Sequence, residues 1–275
     1  MIVHLIDGTY ELFRHFYGAR RGTNGVDTRF GGMRGVLHGV LQLFEKGATH
    51  VGVATDHIIE SFRNDLWDGY KTGAGIDPVL WSQFHPLEDA LATMGVAVWP
   101  MIDLEADDGL ASAAHLAQSN AEVEKICIWT PDKDLAQCVV GDRIVQIDSR
   151  RNVIRDAAGV EAKFGVPPTS IPDYLALVGD AADGYPGIPG FGRKRAAAIL
   201  QKFAHIEAIT DSRLSDHREL ALLFKKLATL RVDAPLFATV DELRWRGPTA
   251  AFTKFAERIE APELAARADR ASQRL

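Results

Sequence analysis

The chain has 275 residues, of which 47% are hydrophobic and 25% are charged, and its formal net charge is −6. These proportions are typical of a globular protein and exclude the disordered and fibrous classes. No apolar stretch reaches the roughly 20 residues that a membrane-spanning helix needs, and the first residues do not form a signal peptide, so we expect a cytoplasmic protein without a membrane partner. Cys127 and Cys138 lie in apolar runs without CxxC spacing, which predicts reduced core residues.

Apolar runs that end in acidic residues recur along the chain, and helix-like segments separate them. The runs are residues 2–7 (IVHLID), 50–56 (HVGVATD), 96–108 (VAVWPMIDLEADD) and 125–134 (KICIWTPDKD). The segments 31–47, 85–95 and 107–120 carry apolar residues at spacings of three and four, as amphipathic helices do. Strands that alternate with helices predict an α/β fold with a central, mainly parallel sheet flanked by helices.

The acidic ends of these runs predict a metal site. The carboxyl ends of parallel strands meet at one edge of the sheet, where ligands bind. In LEADDGLAS (104–112) the acids could simply begin a helix, but the helix dipole accounts for only one or two of them. Glu105 and Asp108 share a helix face and repel each other, so a positive charge should lie opposite them. Clusters of carboxylate oxygens suit Mg²⁺ or Mn²⁺.

A second signal lies in residues 177–200, which read LVGDAADGYPGIPGFGRKRAAAIL. The glycine and proline series predicts a tight loop that enters a helix, and three basic residues follow it, as in a site for a phosphate backbone. A dinucleotide fingerprint is the alternative, but the order here is GxxGxG and the preceding segment reads as a helix. A solvated helix start with incidental basic residues also stays open.

These stretches together resemble the bacterial 5′-nuclease family, which includes the 5′ to 3′ exonuclease domain of DNA polymerase I and the flap endonucleases. The resemblance covers residues 1 to about 235 and rests on LIDGTYELFRHFYG, ATDHIIESFRNDLWDGYKTG, EADD, TPDKDLAQ and GDAADGYPGIPGFG. It implies a PIN-like nuclease core over residues 1–165, with a helical arch near 62–90. It also implies a helical region over 166–275 that contains a helix–three-turn–helix DNA-binding motif.

The resemblance implies roles for particular residues. The expected metal-binding acids are Asp7, Asp56, Glu105 and Asp107 for a first ion, Asp132, Asp134, Asp180 and Asp183 for a second, and Asp108 acting through water. The expected catalytic residues are Lys71 and Arg14, although Arg14 could equally be a surface salt-bridge partner. The expected DNA-binding residues are Tyr70, Gly187, Gly190, Gly192, Arg193, Lys194 and Arg195. The implied cofactors are two Mg²⁺ or Mn²⁺ ions, with K⁺ at the glycine-rich loop.

The function that the resemblance implies is structure-selective 5′-nuclease activity on DNA with 5′ flaps, nicks or gaps, in primer removal or repair. We expect a monomer and a free-standing nuclease, because no polymerase sequence follows. Ala74 stands where the bacterial pattern has an arginine, so one phosphate contact is in question. Two alternatives stay open: an inactive DNA-binding paralogue, and another metal-dependent phosphodiesterase or ribonuclease on the same core. The net charge excludes none of these, because nine acids belong to the expected site.

Overall fold

One mainly parallel sheet forms the centre of the chain, for which the computed structural model describes residues 1–22 and 29–274. Its strands are β1 (Ile2–Asp7), β2 (His50–Asp56), β3 (Ala97–Met101), β4 (Lys125–Trp129), β5 (Ile144–Asp148) and β6 (Val153–Arg155). The strand order is β3-β2-β1-β4-β5-β6, and only β6 runs antiparallel, to β5. The predicted α/β architecture is confirmed, although the sequence patterns did not identify β5 and β6.

Helices cover both faces of the sheet because the central strands are apolar on both sides. They are α1 (Gly8–Gly22), α2 (Gly31–Glu45), α3 (Pro78–Trp81), α4 (Phe84–Thr93), α5 (Ala106–Gln118) and α6 (Ala157–Phe164). Ile6 of β1 packs in a core with α1, α2 and α4, whereas its neighbour Leu5 packs in a core with α5. Successive strand residues point to opposite faces, so the sheet lies between these two helical layers.

Six further helices follow in residues 171–272, and the first four of them form a third core beside the carboxyl edge of the sheet. They are α7 (Ile171–Val178), α8 (Arg193–Phe203), α9 (Ser212–Ser215), α10 (Arg218–Ala228), α11 (Phe252–Arg258) and α12 (Glu263–Ser272). Residues of α7, α8 and α10 share this core with Tyr70. The loop between α7 and α8 is compact: Gly187 has a φ of +75°, and a Cβ there would lie 2.4 Å from the backbone nitrogen of Gly179. Only glycine fits such an approach.

The last two helices leave this region and complete the first core. Phe252 of α11 and Leu264 of α12 are buried among residues of α2 and α4. Just before them, the Trp245 ring stacks on Phe44 at 3.9 Å, and its indole N–H donates to the Met94 carbonyl at 2.7 Å. Residues 245–272 therefore pack with the sheet layer, although they follow the helical region in sequence.

The segment between β2 and α4 differs from the helical arch that was predicted near residues 62–90. Residues 57–77 form turns and bends, α3 has four residues, and α4 buries Leu87 and Ala90 in the first core. Glycines interrupt helix formation here, and Gly75 adopts a φ of +86°. Among the helices of the described ranges, none is long and apolar enough to cross a membrane.

Candidate active site

The parallel register brings the predicted acids to one edge of the sheet. Asp7 is the last residue of β1 and Asp56 is the last residue of the neighbouring strand β2. Glu105 is the N-cap of α5, and Asp107 lies in the first turn of that helix. Asp56 holds this helix start, because its Oδ1 accepts a hydrogen bond from the Ala106 backbone N–H at 2.8 Å. The ends of β1 and β2 and the start of α5 therefore bring acids from distant parts of the sequence into one cluster.

Two groups of acids lie close enough to share a cation. In the part of the chain that the structure describes, these groups are Asp107, Asp132 and Asp134, and Asp134, Asp180 and Asp183, each with carboxylate oxygens within 4.8 Å of one another. Asp134 belongs to both groups and starts a 3₁₀ helix after β4. A cavity of about 120 Å³ lies beside them, lined by Asp7, Thr9, Tyr10, Asp56, Lys71, Glu105, Ala106, Asp107 and Asp132.

The carboxylates of the cluster are buried close to one another, so a nearby positive charge would stabilise their ionised form. Burial, and then the nearby Asp56 and Asp132, raise the pKa of Asp7 to about 7. Burial and Asp132 also hold the pKa values of Asp107 and Asp134 well above the usual range. The buried Oδ1 of Asp134 has no hydrogen-bond partner among the described residues. A divalent cation would take that oxygen as a ligand and would supply the missing positive charge, so these residues fit such an ion.

Two lysines already partly neutralise the acids. The Lys71 Nζ lies 2.6 Å from Glu105 Oε2 and 3.1 Å from Asp183 Oδ1, so it joins the sheet edge to the α7–α8 loop. The Lys133 Nζ lies 2.5 Å from Asp180 Oδ2. Burial would raise the pKa of Glu105, but Lys71 and Arg63 hold it below its usual value. Lys71 thus lies at the acidic cavity, and its catalytic role stays a prediction. Lys133 was not identified from the sequence, although it separates Asp132 from Asp134.

Asp108 does not face this cluster. Its side chain is fully buried, and its two carboxylate oxygens accept bonds from Arg63 Nη1 at 2.7 Å and Nη2 at 2.8 Å. The backbone N–H groups of Glu105 and Arg231 donate to the same oxygens, at 3.0 and 2.8 Å. The predicted role of Asp108 on a metal through water does not fit this position, because its carboxylate is bonded to Arg63, for which the sequence shows no local signal.

Tyr70 and Arg14 also lie elsewhere than predicted. Tyr70 is 4% exposed and its hydroxyl lies 3.4 Å from Glu105, so its ring is not available for stacking on DNA. Arg14 is paired with Glu11 on α1. It lines a separate cavity of about 330 Å³ between α1, α2 and the β5–β6 side of the sheet, and the acidic cavity does not include it. The salt-bridge interpretation of Arg14 matches this position.

The α7–α8 loop presents the predicted basic residues at a helix start. Gly187 and Gly190 have φ values of +75° and +83°, and Gly192 is the N-cap of α8. Arg193 and Lys194 are exposed. Arg195 is half-buried, 3.2 Å from Asp211, and lies over the Phe191 ring. Arg193 and Lys194 therefore make no ion pair with the residues that the structure describes, and both side chains can face an anion.

Comparison with known proteins assigns the family. The family description "5′-3′ exonuclease, N-terminal resolvase-like domain" matches residues 2–165, and "5′-3′ exonuclease, C-terminal SAM fold" matches residues 166–251. The chain belongs to the 5′-3′ exonuclease family. The suspected 5′-nuclease membership is thereby confirmed, and with it a helical C-terminal region.

Individual relatives agree with this assignment. The chain is 30% identical over 254 residues to a 5′-3′ exonuclease of Buchnera aphidicola subsp. Acyrthosiphon pisum, covering 85% of this chain and 88% of the relative. It is 31% identical over 289 residues to DNA polymerase I of Bacillus caldotenax, covering 94% of this chain but only 32% of the polymerase. A bacteriophage T5 flap endonuclease, solved with DNA and metal ions, shares the fold with a TM-score of 0.66 at 17% identity, covering 97% of this chain and all of that one.

Proposed function

We propose that this member of the exonuclease family is a structure-selective 5′-nuclease that hydrolyses DNA phosphodiesters with two divalent ions. The observation that carries the proposal is the pair of acid groups that share Asp134, whose buried Oδ1 lacks a hydrogen-bond partner among the described residues. Mg²⁺ and Mn²⁺ both suit such oxygen ligands. The Buchnera relative's name and the DNA in the T5 structure support DNA as the substrate.

Each part of the site has a task in this proposal. Asp107, Asp132 and Asp134 would hold one ion and Asp134, Asp180 and Asp183 the other, while Asp7, Asp56 and Glu105 line the cavity beside the first and would serve that ion as further carboxylates. Divalent ions bound there would lower the pKa of an attacking water and stabilise the departing oxygen.

Lys71 acts together with these acids. Its ammonium already bridges Glu105 and Asp183 and so lies between the two halves of the site. When a scissile phosphate enters the cavity, this ammonium can donate a hydrogen bond to the phosphate as negative charge develops. The preorganised position of Lys71 is what makes this donation effective.

Duplex binding is assigned to the α7–α8 loop. The exposed backbone N–H groups that start α8, together with Arg193 and Lys194, would hold phosphates of the duplex at a distance from the cut. K⁺ at this loop, a cytoplasmic location, a monomeric state and a role in primer removal or repair stay predictions. An inactive DNA-binding paralogue remains the second candidate.

The deciding experiment is cleavage of a labelled 5′-flap duplex by the purified chain in Mg²⁺, Mn²⁺ or EDTA, with Asp134→Asn as the test variant. Cleavage should require the metal, and Asp134→Asn should abolish it while DNA binding in Ca²⁺ persists. Asp142→Asn is the matched control, because Asp142 is an exposed acid just before β5, at the opposite edge of the sheet. Undiminished cleavage in EDTA refutes the metal mechanism. A folded parent protein that binds DNA without cutting it supports the paralogue instead.

A further inference from the structure

Arg63 is buried although it lies in the irregular segment that follows β2. Its side chain is 1% exposed. Nε donates to the Leu227 carbonyl at 2.8 Å, Nη1 donates to Glu105 Oε1 at 3.0 Å and to Asp108 Oδ2 at 2.7 Å, and Nη2 donates to Asp108 Oδ1 at 2.8 Å and to the Thr229 carbonyl at 3.3 Å. A guanidinium has five N–H donors. All five therefore have acceptors, and the side chain has one fixed position.

The contacts of Glu105 differ between its two carboxylate oxygens. Oε1 accepts from Arg63 and from the Ser61 hydroxyl at 2.8 Å, both on the interior side. Oε2 lies 2.6 Å from Lys71 Nζ, which lines the acidic cavity, and accepts a longer bond of 3.4 Å from the Tyr70 hydroxyl. Oε1 is thus held by two short bonds from the interior, whereas the shortest contact of Oε2 is on the side of the acidic cavity. Partners of this kind orient a carboxylate that binds a metal.

Asp108 fixes the position of Arg63 in turn. It accepts two parallel bonds from the guanidinium, the strongest arrangement for an arginine and a carboxylate. Because Asp108 is the third residue of α5 and also accepts from the N-cap N–H of Glu105, it sets the start of that helix. The guanidinium, the helix start and Glu105 therefore form one rigid unit.

The same arginine also holds the end of α10. The last carbonyls of a helix lack partners within it, and a cation is favourable there. Arg63 supplies the donors for the Leu227 and Thr229 carbonyls, and Asp108 accepts the N–H of Arg231 just beyond. Helix α10 packs against α7, which leads directly into Asp180. The unit thus joins the acids at the sheet edge, such as Glu105, to those that follow α7, such as Asp180.

We propose that Arg63 and Asp108 form a positioning pair that holds Glu105 in its metal-binding orientation and locks the end of α10 to the same point. Neither residue touches the substrate or an ion in this role. The proposal rests on the proposed function, in which Glu105 serves the metal site. It assigns Asp108 to Arg63 rather than to an ion.

Metal binding by DNA-free protein tests the positioning role directly. Arg63→Lys keeps the positive charge but loses the fork that contacts Glu105 and Asp108 together. Mn²⁺ binding, measured by calorimetry on folded protein, should weaken by about 10- to 100-fold. With flap DNA, kcat should fall by a similar factor while KM changes little. In a Glu105→Gln background, Arg63→Lys should weaken Mn²⁺ binding no further, because the effect passes through that carboxylate.

Leu227→Ala is the matched control for a purely structural role. It removes a buried side chain from the end of α10 but keeps the carbonyl that Arg63 contacts, so it should lower the melting temperature and leave Mn²⁺ affinity unchanged. Asp108→Asn is the second variant if Arg63→Lys does not fold, and it should weaken Mn²⁺ binding to the same extent. Parent-like Mn²⁺ affinity in either folded variant overturns the positioning role alone, as does an equal loss in the Glu105→Gln background. A parent protein that binds no Mn²⁺ overturns the proposed function and this proposal with it.

Discussion

The Asp108→Asn substitution distinguishes a structural carboxylate from a metal-binding carboxylate by the sign of a stability change in metal-free protein. Four N–H donors converge on the two oxygens of Asp108. An asparagine of the same size would place an NH₂ group against some of these donors and leave the 1%-exposed Arg63 without its full counter-charge. We therefore expect a large loss of stability even in EDTA.

The magnitude follows from the burial of the pair. Removing one partner of a buried ion pair costs about 3–5 kcal/mol of the free energy of unfolding. For a chain of this size, 1 kcal/mol corresponds to about 2–4 °C, so the melting temperature should fall by roughly 6–20 °C. Asp107 provides the opposite case, because burial and the nearby Asp132 hold its pKa well above the usual range. Neutralising it removes an unfavourable charge, so Asp107→Asn should leave metal-free stability unchanged or increase it.

Urea unfolding in EDTA at about pH 8, followed by circular dichroism, measures both variants against the parent. At this pH the free carboxylates of the unfolded chain are ionised, which keeps the comparison simple. Our interpretation is refuted if Asp108→Asn is as stable as the parent in EDTA. It is also refuted if Asp108→Asn loses stability only relative to Mn²⁺-loaded parent protein, since that behaviour belongs to a metal ligand.

Three further predictions concern the charge of the site and the DNA contacts. In EDTA, the melting temperature should fall as the pH rises from about 5 to about 8, because burial raises the pKa of Asp7 to about 7 and the folded chain holds protons that the unfolded chain has lost. A melting temperature that rises with pH over this range, measured by scanning calorimetry, would contradict this. Lys71→Ala should slow single-turnover flap cleavage by about 10² to 10³, the cost of one preorganised donor, and Ala74→Arg should accelerate it; parent-like rates in either folded variant would be inconsistent with this assignment. Replacing Arg193 and Lys194 together by alanine should reduce the salt dependence of duplex binding by about two phosphate contacts without moving the cut, as measured by fluorescence anisotropy and product mapping; an unchanged slope would exclude these side chains from the duplex interface.

The acid-rich edge of the sheet could be predicted from the sequence, because an apolar run that stops at an acidic residue marks the end of a strand. A run such as HVGVATD shows both an apolar strand and its terminal acid, and the parallel arrangement places that acid beside Asp7. Spacing alone could not separate Asp107 from Asp108, because adjacent helical residues differ only in which face they occupy. The packing of α5 turns Asp107 toward the cluster and Asp108 toward Arg63.

Three other features of the structure differ from the sequence predictions or are missing from them, and contacts between residues that are distant in sequence explain two of them. Arg63 bonds to carbonyls 164 and 166 positions later, and no local pattern records such a pairing. The expected arch came from the resemblance rather than from helical periodicity, and the glycines of residues 69–75 do not favour a helix. The burial of Tyr70 likewise follows from its packing against the α7, α8 and α10 region, which became visible only in the structure.

The return of residues 245–272 to the first core has a consequence for how the chain folds during synthesis. Phe44 and the apolar faces of α2 and α4 are made early, but their packing partners Trp245, Phe252 and Leu264 emerge from the ribosome about 150 to 230 residues later. Until then that layer of the sheet exposes apolar surface, while the region of α7 to α10 can already pack within itself. Such long-range closure slows folding and extends the time during which a nascent chain is prone to aggregation. The layer that packs against the strands of Asp7 and Asp56 is therefore completed only after residues 245–272 have been synthesised.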